Sequence, residues 1–188
     1  MRATVGVWIG GASSRMGGAP KGLLRLDDGR ALIERTLEVI DQAGLSAVLI
    51  GNRTDYDAIT HAPRVQDAPG VEGPLAGLIA LLRHVGDADG IALACDMPYV
   101  TPALLSRLVS EAPSAIVLAP RSPGSIKWEP LCARYRAREV LPVLERAAAA
   151  GERSFQRVLA QLDVAELSLS SAEQRCLIDW DSPADLQR

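Results

Sequence analysis

"GVWIGGASSRMGGAPKGLL", residues 6–24, runs four apolar residues into two pairs of glycines, an arginine and a lysine. Residues 4–9, TVGVWI, read as a fully buried strand that stops at Gly10 and Gly11. A buried strand followed by a loop with few side chains and two cations, Arg15 and Lys21, suits an anion lying against bare backbone amides. The loop lacks the GxGxxG spacing of a dinucleotide site. Lys21 stands between Pro20 and Gly22, so it does not complete the GxxxxGK[ST] of a P-loop either. What remains is a phosphate cradle with Arg15 and Lys21 as mobile counter-charges, set against a flexible connection carrying two solvated cations.

The rest of the chain narrows the choice. Its 188 residues suffice for one α/β domain with a full core, and no linker or repeat divides them, so residues 1–188 read as one domain. Aromatics make up only 4 %, so the core is expected to be aliphatic. A formal net charge of −3 argues against a protein that coats a nucleic-acid duplex, yet leaves room for a nucleotide held at a local positive site. Cys95, Cys132 and Cys176 are far apart, and with only His61 and His84 beside them there is no zinc spacing. An odd cysteine count without a disulfide framework fits a reducing cytoplasm. No apolar run is long enough to span a bilayer, and the glycine-broken N-terminal segment does not read as a signal peptide. The expected setting is cytoplasmic, with no membrane and no nucleic-acid partner.

Strands and helices alternate. ALIERTLEVIDQAG has helical spacing and closes on Gly44; SAVLIG is a second buried strand, and RVQD a short extended piece. Pro74 opens a helix that ends before Gly86, GIALAC is a strand that stops at Asp96, and Thr101-Pro102 start another helix. SAIVLAP and EPLCARY read as strands. A helix is expected over residues 137–150, interrupted or started near Pro142, and Ser154 caps FQRVLAQL. CLIDWD reads as a last strand before a terminal helix capped by Ser182. The fold class is therefore α/β, a mostly parallel central sheet with helices on both faces.

In open parallel sheets ligands bind beyond the carboxyl ends of the strands. That singles out Gly10 to Lys21 after the first strand, Asn52 after the second, Asp67 after the third and Asp96 after the fourth. Asp96, directly after an apolar strand and before Met97-Pro98, is placed to hold Mg²⁺ together with phosphate oxygens, or else to bond its own turn. Cys95 reads as a small buried hydrophobe, since no histidine lies near it in sequence. DAPGVEGPLAGL leads turn residues into a helix start, which suits either acceptor binding or simple capping. Asp179 and Asp181 flank Trp180, and either cap the terminal helix or supply a second metal ligand. Arg121, Lys127 and Trp128 suit a planar anion or a solvated loop.

Taken together, GGASSRMGGAPKGLL, GPLAGL, ACDMP, EPLCARY and DWDSPADL resemble the MobA family of nucleotidyltransferases, the molybdenum cofactor guanylyltransferases, over essentially the whole chain and in the family's order. The glycine-rich segment is shared with cytidylyltransferases and sugar-phosphate nucleotidyltransferases; GPLAGL with CDMP points to the guanylyl branch. The resemblance implies a single-domain Rossmann-like nucleotidyltransferase fold. It implies transfer of GMP from GTP to the terminal phosphate of Mo-molybdopterin, release of diphosphate, Mg²⁺ as cofactor, and transient contact with other molybdenum-cofactor proteins. It further implies that Trp8, Ile9, Gly10 and Gly11 line the nucleotide and that Lys21 and Arg15 hold the triphosphate. Asp67 would contact the nucleotide, Gly73 and Gly77 would shape the base pocket, and Asp96 would bind Mg²⁺. A family asparagine at the end of the second strand falls on Ile50, with Asn52 the nearby candidate. This chain also has Trp8-Ile9 where the family usually carries Leu-Ala, and Asp179 and Asp181 where many members have asparagines. The rival readings are transfer of a cytidylyl or other nucleotidyl group, a non-catalytic binder of GTP or cofactor, and an oxidoreductase subunit, the last disfavoured by the missing GxGxxG.

Overall fold

A computed structural model describes residues 3–10 and 20–180 of the chain. Arg15, Gly11, Asp181 and Ser182 lie outside the described residues.

The first strand, β1 (Ala3–Trp8), is the axis of the sheet. It pairs in parallel with β2 (Ser46–Ile50) on one side and β4 (Asp89–Ala94) on the other. Trp8 stands opposite both Ile50 and Ala94, so the three strands end level and their carboxyl ends form one rim. β3 (Arg64–Val65) extends the sheet beyond β2. Past β4 come β6 (Cys132–Arg136), β5 (Val117–Ala119) and β7 (Val164–Glu166), in the order β3-β2-β1-β4-β6-β5-β7. Only β6 runs against its neighbours, pairing antiparallel with β4 and β5. The mostly parallel sheet expected from the sequence is therefore present, and the reversed strand brings the start of β6 to the rim where β1 and β4 end.

Alternation along β1 explains the two cores. Val5, Val7 and Ile9 face the side covered by α1 (Leu32–Gln42) and α3 (Pro102–Ser110). Trp8 faces the side covered by α2 (Pro74–Val85), α4 (Ala137–Ala149) and α5 (Phe155–Leu159), where Leu75, Leu78, Val140 and Phe155 are also buried. Gly6 lets α2 sink onto the sheet: a Cβ there would stand 2.8 Å from Leu81 Cδ2.

The start signals in the sequence work as read. Thr101 accepts a hydrogen bond from the Leu104 amide at 3.2 Å, and Ser154 accepts one from the Arg157 amide. Pro74 is the first helical residue of α2. Two expectations are corrected. CLIDWD is not a strand, because residues Glu173–Leu177 form a 3₁₀ turn. That turn is fixed by a reciprocal cap: Ser170 N–H donates to the Glu173 carboxylate at 2.9 Å, and the Glu173 amide donates back to Ser170 Oγ at 3.3 Å. Pro142 neither starts nor breaks α4, which runs through it. Both Pro142 and Arg138, whose carbonyl loses a partner there, are exposed, so water can serve that carbonyl. One further strand, β7, has three residues and no run of apolar residues announces it.

Candidate active site

Over the rim lies a pocket of about 350 Å³, a size suited to a small-molecule ligand. β1 contributes Trp8 and the residues after it, Ile9 and Gly10; the segment after β4 contributes Cys95, Asp96 and Met97; and the residues before β6 contribute Glu129, Pro130 and Leu131. Lys21 enters from the 3₁₀ turn Lys21–Leu23, Pro74 from the start of α2, and Asp179 from the closing segment.

At its centre Lys21 Nζ donates to Asp96 Oδ2 at 2.8 Å. Their side chains are 23 % and 15 % exposed, sheltered in part and open enough to meet a ligand. Asp96 is held by the chain end as well, since the Trp180 amide donates to the Asp96 carbonyl at 2.9 Å. Cys95 is no nucleophile: burial, followed by the neighbouring Asp96 charge, pushes its thiol up to about 12.

The other sequence-derived candidates separate into those that meet at the pocket and those that do not. Trp8, Ile9, Gly10, Lys21 and Asp96 come together there. Gly77 is buried beneath Trp8: a Cβ on it would stand 2.7 Å from the indole nitrogen. It is the seat that allows α2 to accept the bulky Trp8, so it shapes the pocket through that ring. Gly73 is exposed and adopts φ +77 as the N-cap of α2, a left-handed conformation that favours glycine. No side chain hydrogen-bonds to cap α2, and its first residue, Pro74, lines the pocket. Asn52 is exposed and does not line the pocket. It is Gly51, at φ +119, that closes on the rim, where a Cβ would stand 3.3 Å from the Gly10 nitrogen. Asp67 also lies outside the pocket lining, with its carboxyl shifted above the ordinary value by desolvation.

Arg121 and Trp128 occupy each other: the guanidinium stacks 3.8 Å from the indole centroid and pairs with Glu166 at 2.9 Å. The cation and ring that looked ready for a planar anion thus serve their own loop. Glu129 had been visible only as part of EPLCARY, without a role. Its carboxyl is shifted upward, chiefly by burial, against the bond from Ser122 and with the Asp179 charge reinforcing it. Strand assignment alone did not reveal it. Only the reversed direction of β6 brings the residues before that strand to the rim.

Among the described residues no three His, Cys, Asp or Glu side chains converge as a self-sufficient metal site. Mg²⁺ is commonly held by one or two carboxylates with phosphate oxygens completing its shell, and Asp96 is a strand-end carboxylate that lines this pocket. Among the same residues no helix is long and apolar enough to cross a membrane.

Six strands running one way and one reversed, with the pocket at the strand-end rim, make an α/β sheet whose ligand site lies where such sheets place it. The fold is shared with 4-diphosphocytidyl-2C-methyl-D-erythritol synthase from Anaerococcus prevotii, with a TM-score of 0.75 at 10 % identity over 99 % of this chain and 93 % of that one. The profile of the MobA-like NTP transferase domain matches residues 6–166, and the chain belongs to that family. It is 37 % identical to a molybdenum cofactor guanylyltransferase of Pseudomonas putida, over 96 % of this chain and 94 % of that protein. It also superposes on molybdopterin-guanine dinucleotide biosynthesis protein A from Archaeoglobus fulgidus with a TM-score of 0.81 and 28 % identity, covering 98 % of this chain and 95 % of the other.

Proposed function

We propose that residues 1–188 act as one nucleotidyltransferase domain, a molybdenum cofactor guanylyltransferase. It would transfer GMP from GTP to the terminal phosphate of Mo-molybdopterin and release diphosphate. The relatives' shared name supports the substrates, and the observation that carries the chemistry is the 2.8 Å Lys21–Asp96 pair at the strand-end rim.

Donor and acceptor both bring phosphate, so the principal barrier is mutual repulsion, and catalysis consists of charge compensation and alignment. Gly10, Trp8 and Pro74 line the pocket with Lys21, and the backbone at Gly10 would face the donor's phosphates. The Lys21 ammonium compensates charge as it builds toward the departing diphosphate. Asp96 keeps that ammonium in place before the nucleotide arrives and is the residue that would hold Mg²⁺. Bound there, Mg²⁺ would supply positive charge to phosphate oxygens. No general base is required, because a phosphate monoester is already ionised at neutral pH; the buried, protonated Cys95 and the distant histidines fit that economy.

The reading is tested by diphosphate release with GTP, CTP, ATP and UTP, each with and without the molybdopterin cofactor. Release is expected with GTP and only when cofactor is added. Preference for another nucleotide would assign a different transfer, and GTP binding without diphosphate release would make the chain a carrier.

A further inference from the structure

Tyr56 ends the short 3₁₀ turn Thr54–Tyr56 after β2, and its side chain is fully buried. Its hydroxyl makes no hydrogen bond of full geometry among the described residues but lies beside the Gly22 backbone and the Cys95 thiol, so ring and hydroxyl together meet those neighbours. The ring edge lies against Gly22. A Cβ built on Gly22 would stand 2.8 Å from Tyr56 Cε1 and 2.9 Å from its oxygen, closer than real side chains approach. Gly22 is not in the left-handed region, so glycine is needed there for proximity and not for a turn. Cys95 is buried in the same core, with its thiol beside that phenol. Gly22 directly follows Lys21, and Cys95 directly precedes Asp96. One buried ring therefore meets the chain neighbour of each member of the central ion pair.

We propose that Tyr56 is a positioning residue: its ring is the stop on which the Lys21–Leu23 turn rests, and it fixes the height of the Lys21 ammonium over the Asp96 end of β4. The inference rests on the reading that Lys21 acts on the triphosphate. The turn's own bonds, Leu23 N–H to the Pro20 carbonyl and Leu24 N–H to the Lys21 carbonyl at 3.0 Å each, set its internal shape but not its distance from the sheet. A lysine stem is flexible, so where its backbone sits decides where its charge can be held. A displacement of about 1 Å at such a group can cost about 100-fold in rate.

The test compares Gly22→Ala, Tyr56→Leu, the double variant and Tyr56→Phe, at a temperature where circular dichroism shows each folded. Gly22→Ala and Tyr56→Leu are each expected to lower kcat by about 10- to 100-fold while leaving the nucleotide KM within about threefold. The double variant should regain at least about fivefold over Gly22→Ala, because leucine vacates the space the methyl needs. Tyr56→Phe, which keeps the ring edge, should restore kcat to within about threefold of the parent protein. A kcat for either folded single variant within about twofold of the parent would overturn the proposal. So would a folded double variant with no recovery. If Gly22→Ala does not fold, the contrast between Tyr56→Leu and Tyr56→Phe decides. The crystal structure of ligand-free Gly22→Ala or, failing that, Tyr56→Leu gives an arm independent of turnover: Lys21 Nζ is expected beyond hydrogen-bond reach of Asp96. An unmoved lysine there sinks the stop even if the nucleotide proves not to be GTP, whereas a parent protein inactive with every nucleotide sinks only the proposed function.

Discussion

The strand β4 carries a carboxylate at its first residue, Asp89, and another just past its last, Asp96, and each faces a cation. At the amino end Asp89 lies 3.7 Å from Arg134, whose side chain is wholly buried. That guanidinium donates to the carbonyls of Ala112 at 2.7 Å and of Val109 and Ala115 at 3.4 Å each, which fastens the end of α3 and the turn leading to β5. At the carboxyl end Asp96 holds Lys21 at 2.8 Å beside an open pocket. Arg134 is spent on fixed backbone acceptors, while Lys21 carries a compact charge beside a pocket that can receive an anion. The same strand thus uses one ion pair for construction and presents the other to ligand, and the difference lies in what surrounds each cation, not in the residues themselves.

The sharpest way to break this contrast is at Asp96. Asp96→Asn and Lys21→Ala should each reduce diphosphate release by about 100-fold or more while shifting the melting temperature little, because removing a partly exposed pair costs about 1 kcal/mol or less. Full turnover in either variant would end the functional assignment of that pair. At the other end the weights reverse. Arg134→Leu should destabilise the protein by about 3–5 kcal/mol in urea unfolding, through the stranded Asp89 and the three released carbonyls, with kcat of the folded fraction unchanged. A melting curve identical to the parent's would show that the buried pair fastens nothing.

The smallest effect is a pH dependence that sharpens the comparison. Burial raises the Asp89 carboxyl above its ordinary value, with the Arg134 charge opposing that shift. A group whose folded value is raised adds stability that is complete below its unfolded pKa and is lost as pH rises through the folded one. Urea titrations of the parent and Asp89→Asn should therefore diverge in the parent's favour as pH falls from neutrality through the raised Asp89 range. A gap independent of pH would mean that Asp89 does not titrate across that interval.

Much of the fold was legible because its signals are local. Thr101, Ser154 and Pro74 start helices for reasons contained within four residues of chain, and the apolar runs of β1, β2 and β4 are long enough to leave little choice. CLIDWD misled because a short apolar run has no period of its own, while the Ser170–Glu173 cap that marks a helical turn sits just upstream of it. The direction of β6 was not legible, since EPLCARY reads alike either way, and with it went the place of Glu129 at the rim. The family likeness assigns Gly77 to a base pocket, but that it seats Trp8 appears only once α2 lies on the sheet.

By itself the sequence determined a glycine-rich segment with two cations after a buried strand, a carboxylate closing another, and a likeness strong enough to name a family. Only the tertiary structure decided that Lys21 and Asp96, 75 residues apart, meet at 2.8 Å, that Tyr56 lies against Gly22, and that Arg134 is spent on construction. The physical reason is range. Capping, turn chemistry and hydrophobic period act over a few residues, whereas the distance between two strand ends is set by sheet register and helix packing, to which every element contributes at once.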